Sequence, residues 1–189
     1  GSFIVFRLSK GKVVYKMNEY RTHKCGELRK EHVGQKIKIA GWVQTTRDLG
    51  GLVFLDIRDQ YGVAQAVISG ETEEVREISR IPVESTVSIE GTVRTRSEET
   101  INPNMETGEV EVVIEDIRIL GKRMKNLPFE VNTEQEVKED LRLQYRFLDL
   151  RRKEVKDRIV LRAKVIQHLR QKMIEQGFLE VQTPILTSS

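Results

Sequence analysis

Between residues 35 and 120 the apolar positions recur with a period near two, the spacing of strands that bury one face. The run Gln35–Gln44 carries Ile37, Ile39 and Val43. Leu49-Gly50-Gly51 then supplies the glycines of a hairpin connection, because glycine reaches positive φ without steric cost. Leu52–Ile57, dense in β-branched and aromatic residues, predicts a second strand, Gln60-Tyr61-Gly62 a turn, and Val63–Ile68 a third strand. The period changes at Glu71–Arg80, where Val75 and Ile78 stand at i, i+3 in a charged stretch that ends before Pro82; this predicts a short amphipathic helix. Alternation returns in Ser85–Ser97 through Val87, Ile89 and Val93, and in Glu109–Leu120 through Val110, Val112 and Ile114. Glu98–Gly108, between them, is a loop rich in turn formers. Gly41 and Gly91 fall inside strands, where glycine marks a bend or a bulge.

Three strands, a helix and two strands follow the order of an OB-fold, a five-stranded Greek-key β-barrel with its helix between strands three and four. Another small barrel or a sandwich has the same pattern. Cys25–Glu31 predicts one short helical turn before the barrel. Residues 1–16 are basic, fit no element of that fold and read as a leader, with Gly1-Ser2 a cloning remnant and Met17 the native start. After residue 121 the pattern breaks. Lys122–Asp140 is polar with an extended Leu127-Pro128-Phe129 kink and reads as a hinge. From Leu141 the period is helical. Val155, Ile159, Ala163, Ile166, Leu169 and Met173 form one apolar stripe on a helix over Lys153–Gln176, stopped by Gly177. Phe178–Thr183 alternates as a strand, with Pro184 after it. The expected division is 1–16 leader, 17–121 barrel, 122–140 hinge and 141–189 the start of a truncated α+β domain, mainly β with α overall.

Composition narrows the function. Apolar residues make up 38% and charged residues 32%, and no run approaches the roughly 20 apolar residues of a membrane span. A lone Cys25 can form neither an internal disulfide nor a metal site, which suits a reducing cytoplasm. His23, His32 and His168 share no ligand spacing, so no metal is expected. Residues 141–172 carry 11 Lys/Arg against 3 Asp/Glu, whereas residues 17–140 carry 17 against 24. An acidic barrel does not hold a polynucleotide through bulk charge; any such binding must use a local patch and base contacts. Arg47, Phe54, Arg58 and Gln65 lie on or beside the first three strands. An exposed aromatic flanked by guanidinium and amide groups is what reading an unpaired base requires. Alternation alone leaves Phe54 free to face inward or outward, although Val53 and Leu55 are the better core residues. Arg58 beside Asp56 or Asp59 reads as a surface ion pair.

Three stretches together carry a family likeness. GWVQTTRDLGGLVFLDIRDQYGVAQ and RTRSEETINPNMETGEVEV resemble the anticodon-binding domain of bacterial aspartyl-tRNA synthetases. LRLQYRFLDLRR with GFLEVQTPILTSS resembles the start of the class II catalytic domain and its motif 1. The resemblance implies that Phe54 stacks under the central anticodon base, Gln65 bonds its edge, and Arg47 meets the third base or the backbone. It implies that Arg96 and Glu111 complete the pocket. It also implies a homodimer built on motif 1, with Ile166, Met173, Phe178 and Pro184 at the interface. The basic run Arg142, Arg146, Arg151, Arg152 and Lys153 then touches tRNA or forms ion pairs at that interface.

Three places depart from the family. Thr100 stands where some members carry an asparagine that helps read the anticodon. Thr45-Thr46 replaces a basic run, which removes charge from the hairpin, and Leu49 stands where relaxed-specificity members carry histidine, which points to tRNA-Asp alone. The implied reaction activates aspartate with ATP and Mg2+ and transfers it to tRNA-Asp. Motifs 2 and 3 are missing from this stretch, so it is expected to bind tRNA, to hold no cofactor itself and to have no catalytic residue. The alternative is a noncatalytic OB-fold module for single-stranded nucleic acid with a helical dimerisation arm.

Overall fold

The computed structural model describes residues 6–9, 12–15 and 18–182, with side chains from residue 18 onward. The chain divides into two units, 1–126 and 127–189. In the first, strands β1 (Phe6–Ser9) and β2 (Lys12–Tyr15) pair antiparallel as a separate two-stranded sheet. These two strands stand apart from the barrel ladders; Val13, Val14 and Tyr15 of β2 are residues that favour a pleated backbone. Two 3-10 turns, Cys25–Glu27 and Lys30–His32, stand where one helical turn is predicted.

The barrel follows as β3 (Lys36–Asp48), β4 (Leu52–Arg58), β5 (Val63–Ser69), helix α1 (Glu73–Ser79), β6 (Thr86–Thr95) and β7 (Val110–Gly121). The five strands are ordered β3-β4-β5-β7-β6, and β6 pairs back onto β3, so each strand has two neighbours. All ladders are antiparallel except β5 with β7. The inward residues form one core: Ile37, Ile39 and Val43 of β3, Val53, Leu55 and Ile57 of β4, Ala64 and Ala66 of β5, and Val87, Ile89, Val93, Val110, Val112 and Ile114 of β6 and β7. Helix α1 adds Val75 and Ile78, with Thr72 accepting the Val75 N–H as its N-cap.

One irregularity decides what the barrel shows outside. Trp42 and Val43 pair with Arg58 and Ile57, but the next pair is Thr45 with Asp56, so Gln44 is an extra residue in β3. In unbroken register, Thr45 and Arg47 would oppose Leu55 and Val53 and point into the core. The bulge reverses that phase and sets Arg47 opposite Phe54 on the outer face. β3 therefore runs four residues further than its alternation predicts. At Gly91 a Cβ would lie 2.0 Å from the Val113 carbonyl oxygen, beside a register shift between β6 and β7, so the close approach of backbones excludes any side chain.

Cys25 is fully buried among the core residues, and its amide donates to Asp59 Oδ2 at 2.9 Å. Burial, and then the Asp59 carboxylate, hold the thiol pKa well above its ordinary value. The native chain is therefore expected to resist iodoacetamide at mildly alkaline pH and to react once unfolded in denaturant. Reaction of the native chain at the rate of a free thiol would contradict this placement.

The second unit contains α2 (Glu139–Gln144), α3 (Arg146–Asp149) and α4 (Lys153–Glu175). Phe129, Val131 and Leu148 form a small core with Leu127, Val137, Leu141 and Tyr145 around it. Part of the predicted hinge is thus packed apolar chain. Asp149 is fully buried and accepts from Arg142 Nε at 2.8 Å and Arg146 Nη1 at 2.6 Å, with Arg152 at 3.9 Å. Three members of the basic run are therefore committed to one internal carboxylate. The predicted strand at Phe178–Thr183 is absent over its described part, residues 178–182. A strand is defined by its ladder, and no strand of the described chain pairs with this segment.

Candidate nucleic-acid interface

The outer face of β3, β4 and β5 meets that of β7 and β6 in one connected patch. Register places Arg47 opposite Phe54, Thr45 opposite Asp56, Asp56 opposite Gln65 and Arg94 opposite Glu111. Phe54 is half-buried while its neighbours Val53 and Leu55 are fully buried, so the aromatic ring belongs to the outer face. The Arg47 guanidinium stands 5.6 Å from the Phe54 ring centroid, close enough for cation–π attraction.

Beneath these two lies a polar chain. Arg47 Nη2 donates to Gln65 Oε1 at 3.1 Å, Gln65 Nε2 donates to Glu111 Oε2 at 2.8 Å, and Arg94 Nε donates to Glu111 Oε1 at 2.7 Å. Gln65 and Glu111 are each 6% exposed and Arg96 is 5% exposed, whereas the Arg47 side chain is 55% exposed. The interior of the patch is therefore enclosed and its rim is open to solvent. Arg96 Nε donates to the Val110 carbonyl at 3.0 Å, but its Nη2 is buried with no hydrogen-bond partner. Burial lowers the Arg96 pKa, and the carboxylates of Glu111 and Asp56 oppose that effect. A buried guanidinium N–H without an acceptor is uncommon and marks a place where a ligand oxygen or nitrogen would be favourable. The Thr45 hydroxyl donates to Asp56 Oδ2, while Asp56 Oδ1 lies 3.7 Å from Arg47 and accepts no hydrogen bond.

All five residues singled out in the sequence, Arg47, Phe54, Gln65, Arg96 and Glu111, thus fall in this patch. Sequence reasoning missed Arg94, Asp56 and Thr45. Arg94 lies on β6 and Arg96 one residue past its end, and only the pairing with β7 shows that Arg94 opposes Glu111. Arg58 also differs from expectation. It is 9% exposed and donates to Glu84 Oε1 at 2.6 Å and to Gln44 Oε1 at 3.4 Å, with the Trp42 ring centroid 5.7 Å away. It is a buried brace beneath the bulge and not a surface partner of Asp56 or Asp59.

Leu49 is 68% exposed at the β3–β4 hairpin tip, next to Gly50 and Gly51, whose φ values are 67° and 86°. In the second unit, Ile166, Leu169, Met173, Ile174, Phe178 and Leu179 line one apolar groove. It contains three of the four residues expected at a subunit interface; the fourth, Pro184, lies outside the described residues. Among the described residues no helix is long and apolar enough to cross a membrane, and no group of three His, Cys, Asp or Glu side chains could hold a metal ion.

A family model described as an OB-fold nucleic acid binding domain matches residues 37–120, and one described as tRNA synthetases class II (D, K and N) matches residues 138–189. The chain is 49% identical over 173 residues to an aspartate–tRNA(Asp/Asn) ligase of Phenylobacterium zucineum, covering 92% of this chain and 29% of that protein. It is 46% identical to the aspartate–tRNA ligase of Streptomyces coelicolor, with the same coverage. This chain belongs to the aspartyl-tRNA synthetase family. It spans 29% of the length of these curated relatives and matches their N-terminal part. A crystal structure of asparaginyl-tRNA synthetase from Pyrococcus horikoshii superposes with a TM-score of 0.74 at 29% identity, covering 87% of this chain and 38% of that one. The synthetase relatives therefore share both the barrel and the start of the second unit.

Proposed function

We propose that the barrel of this chain reads the anticodon loop of tRNA-Asp, as the recognition part of a longer aspartate–tRNA ligase. The observation that carries this reading is Phe54, outward on β4 beneath Arg47 and beside the buried pair Gln65–Glu111. A splayed base stacks on the ring, and its edge reaches the fixed polar groups next to it. Arg96 supplies an unsatisfied donor in the same patch. Arg47, at the exposed rim, meets the next base or its phosphate with the N–H groups that do not bond Gln65.

The neutral hairpin fits this division of labour, since Thr45 is engaged with Asp56 and affinity rests on base contacts more than on charge. Leu49 at the hairpin tip is consistent with a preference for tRNA-Asp. Of the relatives, the Phenylobacterium zucineum protein is an aspartate–tRNA(Asp/Asn) ligase and the Streptomyces coelicolor protein an aspartate–tRNA ligase.

For the whole protein we propose the family's reaction, the joining of aspartate to tRNA with ATP and Mg2+, on a cytoplasmic homodimer. The chain by itself binds tRNA and does not charge it. The groove containing Ile166, Met173 and Phe178, with Pro184, is proposed to join the dimer interface. A titration of the chain with hairpin RNAs that differ in the central anticodon base tests the reading.

A further inference from the structure

We infer that Gln65 is held in a single amide polarity by Arg47 on one side and the Arg94–Glu111 pair on the other, and that this lock lets the site separate uracil from cytosine. The inference rests on the anticodon reading proposed above. The aspartate codons GAU and GAC place uridine at the centre of the anticodon.

A primary amide is nearly symmetric in shape: turned over, it exchanges a donor for an acceptor at almost no steric cost. A free glutamine therefore suits either pyrimidine. Uracil offers an N3–H donor between two carbonyl acceptors. Cytosine offers an N3 acceptor beside an amino donor, which reverses that polarity. An unrestrained reader turns over and accepts both.

Gln65 is restrained at both ends. Its Oε1 accepts from a guanidinium, which can only donate, and its Nε2 donates to a carboxylate, which can only accept. Turning it over would set NH2 against Arg47 and oxygen against Glu111, losing two hydrogen bonds where Gln65 and Glu111 are each 6% exposed. Glu111 is itself restrained, since Arg94 Nε holds Oε1 at 2.7 Å while Oε2 takes Gln65. Arg94, with its side chain 53% exposed, is thus a positioning residue, and Glu111 acts on the base through Gln65. The lock leaves Gln65 one further lone pair and one further N–H of known polarity for the base. Discrimination then comes from the orientation that the wrong base would need and cannot obtain.

The test uses the full 189-residue chain and two hairpin RNAs carrying the tRNA-Asp anticodon arm, one with central uridine and one with central cytidine. Fluorescence anisotropy at one fixed salt concentration gives the ratio of affinities. The native chain is expected to prefer uridine roughly tenfold, the scale of one well-placed polar base contact. Glu111→Gln replaces the acceptor-only partner with one that can itself turn over. It should bring the ratio toward one mainly by strengthening cytidine binding, a gain that mere structural damage does not produce. Arg94→Gln should move the ratio in the same direction by a smaller factor, and it serves if Glu111→Gln does not fold. Equal weakening of both hairpins, or an unchanged ratio in both variants, overturns the lock. Equal affinity of the native chain for the two hairpins overturns the lock and leaves anticodon-arm binding standing. No binding to either hairpin removes both.

Discussion

Replacing Arg58 with alanine is expected to destabilise the barrel by about 3–5 kcal/mol, the range for removing one partner of a buried ion pair. The Arg58 and Glu84 side chains are 11% and 5% exposed, and their 2.6 Å contact is made with little solvent to screen it. The substitution withdraws a guanidinium from a buried carboxylate, from the amide of Gln44 and from the face of Trp42. Glu84 also has a φ of 64°, an uncommon backbone conformation for a residue with a side chain, so the corner holding it is already strained. Urea denaturation of the native and variant chains measures the effect. Arg58→Met combined with Glu84→Gln should recover part of the loss, because no unpaired charge remains. A cost below about 1 kcal/mol would mean that the pair behaves as an exposed one.

Phe54→Ala is expected to leave stability nearly unchanged and to weaken binding of the cognate hairpin by about 1–3 kcal/mol, the contribution of one base–aromatic stack. That corresponds to roughly 5- to 150-fold in Kd. A core phenylalanine would behave in the opposite way, with about 3–5 kcal/mol lost from folding. The two placements differ in which quantity moves. Denaturation and titration of the same variant separate them, and an unchanged Kd with a native fold would remove Phe54 from the site.

The β-meander and helix α1 are legible in the sequence because their signals are local. Ile37, Ile39, Val53, Leu55 and Ile57 sit at period two, and Val75 and Ile78 are one helical step apart. The bulge at Gln44 has no such signal. A glutamine between Val43 and Thr45 fits an unbroken strand equally well, and only the pairing of Thr45 with Asp56 shows the extra residue. Its consequence is large, since it turns Arg47 outward. Arg58 misleads for a related reason: Asp56 and Asp59 are its neighbours in sequence, while Glu84, its partner, is 26 residues away.

The candidate site was legible one residue at a time, through family resemblance, but its wiring was not. The Gln65–Glu111 bond spans 46 residues and exists because β5 and β7 lie side by side in parallel. Arg94 carries no mark that separates it from a solvated strand residue until Glu111 is placed opposite it. At Phe178–Thr183 the error runs the other way, since alternation predicts a strand but cannot supply its partner.

The outer face carrying Phe54 and Gln65 is proposed to read an anticodon. The most direct measurement is an anisotropy titration of the unmodified chain with three ligands: the tRNA-Asp anticodon hairpin, the same hairpin with its central base changed, and single-stranded DNA of equal length. The structure predicts tightest binding to the cognate hairpin, a loss on changing the one base, and the weakest binding to DNA. Equal affinity for all three would contradict base reading by this face and leave only a general single-strand binder.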